Sequence, residues 1–155
     1  MALKRAAVAL GSNLGDRTAT LHSAIAAIAQ LGDVVAVSGF HETAPVGGPE
    51  QGEFLNAVVL IDTALGPEEL LAGLHRIEDD HGRLRAERWG PRTLDLDLIV
   101  MEGMRRDTAE LTLPHPRASE RRFVLVPLVE VWPDAEVAPG LVATRALDLL
   151  SPSED

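Results

Sequence analysis

Between Arg5 and Val100 the chain alternates apolar, β-branched runs with segments of helical periodicity, and the order of those pieces restricts the fold more than any other feature. "RAAVALGSN" reads as a buried strand ending in a glycine turn. "GDRTATLHSAIAAIAQLG" carries Leu21, Ile25, Ile28 and Leu31 at helical spacing, with Asp16 placed to cap it and Gly32 to stop it. "DVVAVSGFHET" and "EFLNAVVLIDTA" are the next two strands, separated by the Pro/Gly loop "APVGGPEQG". "GPEELLAGLHRIEDDHG" predicts a helix with Pro67 in its first turn, acids early and Gly82 at its end. "RTLDLDLIV" is the fourth strand. The order β-α-β-β-α-β predicts an α+β, ferredoxin-like sandwich. The last third adds a C-terminal extension, with short helices in "SERRFVLVPLVEV" and "ATRALDLL". No repeat or linker divides the chain, so residues 1–155 are expected to form one domain.

Composition narrows the chemistry. There is no cysteine, which rules out disulfides and thiolate metal sites. No apolar run approaches the roughly 20 residues of a membrane span. "MALKRAAVAL" has a signal-like flavour but no full apolar region, so a first strand is the better reading and a cytoplasmic, soluble protein is expected. A net charge of −10 argues against general nucleic-acid binding. Yet ten of the fourteen basic residues fall between Arg76 and Arg122. Arg83, Arg85, Arg88 and Arg92 lie within ten positions that hold one acid, Glu87. That reads as a local anion site in an acidic protein.

The arginines run into Asp95 and Asp97. Side chains two apart in a strand share a face, so Leu94, Leu96 and Leu98 should meet the core while both carboxylates stand on the other side. Their Cα atoms would lie roughly 6.5–7 Å apart. Such a pair can be a solvated strand face. It can also hold Mg²⁺, which binds through one or two carboxylates together with substrate phosphates, and two ions could share it. Arginine suits the phosphates because its planar fork donates two parallel hydrogen bonds. Gly90 and Pro91 break the run before the strand, so residues 83–92 read as a loop able to close, with Trp89 packing on a ligand or a loop partner.

With those residues in view, the chain resembles the 6-hydroxymethyl-7,8-dihydropterin pyrophosphokinase family of folate biosynthesis. The resemblance rests on "RWGPRTLDLDL" and "LTLPHPRASERRFVLVPL", with "ALGSNLGDR" and "ETAPVGGPEQGEFLNAV" in the same order, and covers nearly the whole chain. It implies transfer of pyrophosphate from ATP to the hydroxymethyl group of the dihydropterin, with release of AMP and use of two Mg²⁺ ions. Asp95 and Asp97 would ligate both metals. Arg83 and Arg92 would contact the ATP phosphates and assist transfer. His115 and Arg121 match phosphate contacts, and Thr112 an adenine-side contact. Leu98 joins them, and His75 and Glu78 lie on the helix bordering the nucleotide. Thr43, Ala44, Pro45, Val46 and Phe54 would line the pterin slot, with Asn56 bonding the heterocycle's edge, Phe123 stacking on the ring and Trp89 closing near it. Ala44, His75, Glu110 and Pro116 depart from the family's usual residues.

Other signals weigh less. "GSNLGDR" lacks the lysine and spacing of a phosphate loop, so it reads as a strand-to-helix turn. Asn56 inside a strand needs partners, which either a heterocycle or neighbouring backbone could supply. No arrangement of serine, cysteine and histidine suggests a covalent nucleophile. An RNA-binding module of the same layout would need a stacking platform, and the chain has no tyrosine and three phenylalanines. A metal-dependent phosphohydrolase on a nucleotide-like substrate is the alternative enzyme. The expected partners are ATP and a hydroxymethyl dihydropterin, with neither nucleic acid nor membrane, in a monomer.

Overall fold

The computed structural model describes residues 2–13, 16–43, 54–83 and 94–150. In chain order the elements are β1 (Lys4–Ser12), α1 (Arg17–Ile28), β2 (Asp33–Val37), β3 (His41–Thr43), β4 (Phe54–Thr63), α2 (Pro67–Glu78), β5 (Asp95–Met101), β6 (Arg106–Asp107), β7 (Thr112–Leu113), α3 (Arg122–Val131), β8 (Glu136–Ala138), β9 (Leu141–Val142) and α4 (Ala143–Leu149). The main sheet runs β2-β4-β1-β5 with antiparallel neighbours, and β3 also pairs with β4. This is the α+β ferredoxin-like arrangement. Asp16 caps α1, accepting the Ala19 N–H at 3.0 Å.

The expected single strand "DVVAVSGFHET" is two. Ser38 interrupts it: its N–H bonds the Val58 carbonyl at 2.9 Å and its Oγ accepts the Val58 N–H at 2.9 Å. The side chain thus substitutes for backbone in the ladder and the chain turns away. A second difference lies after α2, where Gly82 does not stop the helix. A π-helical segment, Asp79–Arg83, carries it further. His81 Nδ1–H donates to the Ile77 carbonyl at 2.7 Å, and Ser23 Oγ–H donates to Nε2 at 2.8 Å, tying this segment to α1.

Period-two alternation splits the sheet into two buried faces. Ala6, Val8, Leu10, Leu55, Ala57, Val59, Ile61, Leu94, Leu96 and Leu98 meet α1 and α2 in one core. Ala7, Val58, Leu60, Ile99 and Val100 meet α3, α4 and the turn between them in the other. The C-terminal extension is therefore a third layer. A β-bulge explains why Ile99 and Val100 share a face: the β1–β5 register shifts between Ala7 and Val8, pairing them with Val100 and Leu98 and leaving Ile99 as the extra residue.

Gly32 lies where the end of α1 crosses β4. A Cβ there would be 2.7 Å from the Asp62 carbonyl oxygen, which belongs to the sheet backbone and cannot retreat. Gly32→Ala should therefore destabilise by about 1–3 kcal/mol, read as a lower urea midpoint at unchanged slope.

Candidate active site

The site begins at the end of β1. Gly11 is in register with Asn56 of β4 on one side and Asp95 of β5 on the other, so three strands present Asn56, a bare backbone and a carboxylate on one face. With strands about 4.8 Å apart, the flanking backbones are about 10 Å from each other. A Cβ at Gly11 would sit 3.3 Å from Asn56 Oδ1 and 3.9 Å from Phe54 Cδ1. Glycine keeps this floor low.

Asn56 is buried, and its Nδ2 donates to Thr43 Oγ1 at 2.7 Å. Sequence reasoning left its partner open between a heterocycle and backbone; the partner found is another side chain. The register Thr43↔Phe54 and His41↔Asn56 places Thr43, Phe54 and Asn56 together. Two ion pairs hold β3 from either end: Arg17–Glu42 at 2.6 Å to the start of α1, and His41–Glu130 at 2.5 Å to α3. Both are half exposed, so they fix position more than they add stability. Phe123, in the first turn of α3, packs on the core of the same sheet face, with the Arg121 guanidinium 5.6 Å from its ring centroid.

Beyond Asp97 opens a cavity of about 280 Å³. Its walls bring together four residues expected at the nucleotide, namely His75, Leu98, Thr112 and His115, with Asp97, expected at the metals. Glu110 and Pro116, singled out as departures, line it too. Burial holds the His115 imidazole below the usual histidine range; Asp97 opposes that shift, and Arg121 and Arg117 reinforce it. The Arg117 N–H donates to His115 Nδ1 at 3.3 Å, leaving the proton of the neutral ring on Nε2. Asp97 is exposed on the face expected, and Leu94, Leu96 and Leu98, which alternate with the aspartates, are buried.

Glu78 stands apart from that wall. It is buried, and its Oε2 accepts the Leu96 N–H at 2.8 Å. Ala44, Pro45, Val46, Trp89 and Arg92 lie outside the described residues, as does the side chain of Arg83, whose backbone ends the π-helical segment. Among the described residues no three His, Asp or Glu side chains converge as a ready-made metal cage. Two adjacent carboxylates suit Mg²⁺ when phosphates and water supply its other oxygens. Sequence reasoning missed Gly11, whose role depends on register, and Arg117, whose role depends on the turn at His115.

The 7,8-dihydro-6-hydroxymethylpterin-pyrophosphokinase (HPPK) family matches residues 7–133. The 2-amino-4-hydroxy-6-hydroxymethyldihydropteridine pyrophosphokinase of Bacillus subtilis (strain 168) is 47% identical over 131 residues, covering 83% of this chain and 78% of that one. The protein of the same name from Methylorubrum extorquens is 44% identical over 153 residues, covering 97% and 96%. Among solved structures, wild-type Plasmodium falciparum HPPK-DHPS with pterin and p-hydroxybenzoate superposes with a TM-score of 0.71 at 14% identity, over 94% of this chain and 43% of that one. That last likeness concerns the fold alone.

The His115 environment gives a pH signature in the ligand-free protein. Its folded pKa is lowered, so the unfolded chain takes up the proton first. The stability this histidine contributes is present above the usual imidazole value and is lost as pH falls through it toward the lowered folded value. Urea titrations across that range should show a flatter pH dependence for His115→Gln than for the parent.

Proposed function

The chain belongs to the 7,8-dihydro-6-hydroxymethylpterin-pyrophosphokinase family, and from that premise we propose how its own residues divide the reaction. The enzyme transfers pyrophosphate from ATP to 6-hydroxymethyl-7,8-dihydropterin in folate biosynthesis, giving the pterin diphosphate and AMP. A nucleotide phosphohydrolase, which an aspartate pair alone would allow, has no support among the relatives.

The observation that carries the residue assignment is the register through Gly11, which sets an amide and a carboxylate on opposite sides of an open floor. The pterin lies on that floor, its edge bonded by Asn56 and flanked by Thr43 and Phe54, with Phe123 over the ring. Ala44, Pro45, Val46 and Trp89 complete the slot. ATP occupies the cavity beyond Asp97, with Leu98 and Thr112 toward the nucleoside, His75 on the facing helix, and His115 and Arg121 toward the phosphates. Two Mg²⁺ ions held by Asp95 and Asp97 would supply charge neutralisation on the phosphates. The hydroxymethyl oxygen forms its bond to the β-phosphorus as the bond from that phosphorus to the α–β bridging oxygen breaks, and AMP leaves with that oxygen. Arg92, just before β5, holds the phosphates throughout. Arg83, at the far end of the sequence stretch 83–92, acts chiefly in the transfer step. The reading takes the enzyme as a monomer with a single domain over residues 1–155. ATP as co-substrate favours the cytoplasm.

AMP release is the direct test: it should require hydroxymethyl dihydropterin, and pterin-independent phosphate release would overturn the transfer reading. Asp95→Asn and Asp97→Asn should each slow turnover about 10²-fold or more with the circular-dichroism spectrum unchanged. Unchanged rates at limiting Mg²⁺ would remove both from the metal site.

The floor gives a second expectation. Asn56→Ala should weaken pterin binding by roughly 1–3 kcal/mol, and Gly11→Ala should also weaken it by pressing on Asn56 Oδ1, while ATP binding barely changes. Calorimetry with each ligand separately would show it; equal losses for both ligands would mean a general structural effect. Arg83→Ala should slow the transfer step in single-turnover experiments while sparing ATP-analogue affinity, whereas Arg92→Ala lowers both.

A further inference from the structure

Glu78 is a buried carboxylate on α2, a helix whose other buried residues are Pro67, Leu70, Gly73, Leu74 and Ile77. Burying an ionised carboxylate is unfavourable unless it is well bonded, and an apolar side chain would pack more favourably there. Its Oε2 accepts the Leu96 N–H at 2.8 Å. Leu96 is the residue between Asp95 and Asp97. On the inner side β1 fixes this stretch through the pairs Gly11↔Asp95, Leu10↔Leu96 and Ala9↔Asp97. On the outer side β5 is the last strand of the main sheet among the described residues, and the carboxylate takes the position a further strand would have.

We propose that Glu78 is a positioning residue for the aspartate pair: it clamps the amide between the two carboxylates, so that β5 begins in register and both side chains face the site. The proposal rests on the assignment of Asp95 and Asp97 as metal ligands. It differs from a nucleotide contact by Glu78, because the bond is made to the protein's own backbone. Rotation of the Leu96 peptide would swing Asp95 and Asp97 together, so one hydrogen bond fixes two ligands. A charged acceptor is stronger than a neutral one, and among the described residues no further strand pairs with the outer side of β5 to hold it.

The test separates this from the metal assignment by reading the ligand-free protein first. In Glu78→Ala the Leu96 amide should exchange with deuterium at least about tenfold faster by NMR, with amides in the centre of β4 unchanged. Glu78→Gln, which keeps an acceptor oxygen, should recover most of the protection. Calorimetry with Mn²⁺ and a non-hydrolysable ATP analogue should then show metal binding about tenfold weaker in Glu78→Ala, and pterin binding unaltered. If Glu78→Ala does not fold, Glu78→Asp withdraws the carboxylate by one methylene and should show the same loss of protection. Unchanged Leu96 exchange in the variant would overturn the proposal, as would equal losses of metal and pterin binding. Asp95→Asn, which should leave Leu96 protected, is the control: normal turnover there refutes the metal assignment whatever Leu96 does.

Discussion

The antiparallel register of β1 between β4 and β5 is the constraint on which the site depends. Among the described residues, β1 is the only strand that touches both the strand carrying Asn56 and the strand carrying Asp95 and Asp97. A one-residue slip against either neighbour would turn that neighbour's polar residues into a hydrophobic core. The leucines and valines that fill the two cores therefore do more than stabilise. By penalising every other register, they fix which way a carboxamide and two carboxylates point.

The parts of this arrangement that depend on local pattern were legible in the sequence. Alternation in "LDLDL" assigned Leu94, Leu96 and Leu98 to the core and the aspartates to the opposite face, and the structure has them so. Asp16 was recognisable as a cap because its partner is three residues away. The ferredoxin-like class followed from the succession of elements, and the family from motifs spread along the chain.

What escaped prediction depends on partners far apart in sequence or on small changes of helical winding. Ser38 looks like an ordinary strand residue until Val58 is beside it. Gly82 has the composition of a helix stop, yet the π-helical segment runs on to Arg83, steadied by a bond from Ser23 to His81 that no local window contains. Ile99 and Val100 share a face only because of a bulge opposite Ala7 and Val8. Gly11 carries no side-chain chemistry to notice. Its meaning is the space that it leaves.

The outer rim of β5 has one further consequence. An edge strand offers unpaired amides and carbonyls, an invitation to strand-on-strand aggregation. Here the Leu96 N–H is covered by Glu78, and the Ile99 carbonyl accepts the His115 N–H at 2.7 Å. The opposite edge, β2, is short and has Val34, Val35 and Val37 exposed. In the sheet order these exposed valines lie furthest from the aspartates, so a charge introduced at Val35 should raise solubility without approaching the reacting groups.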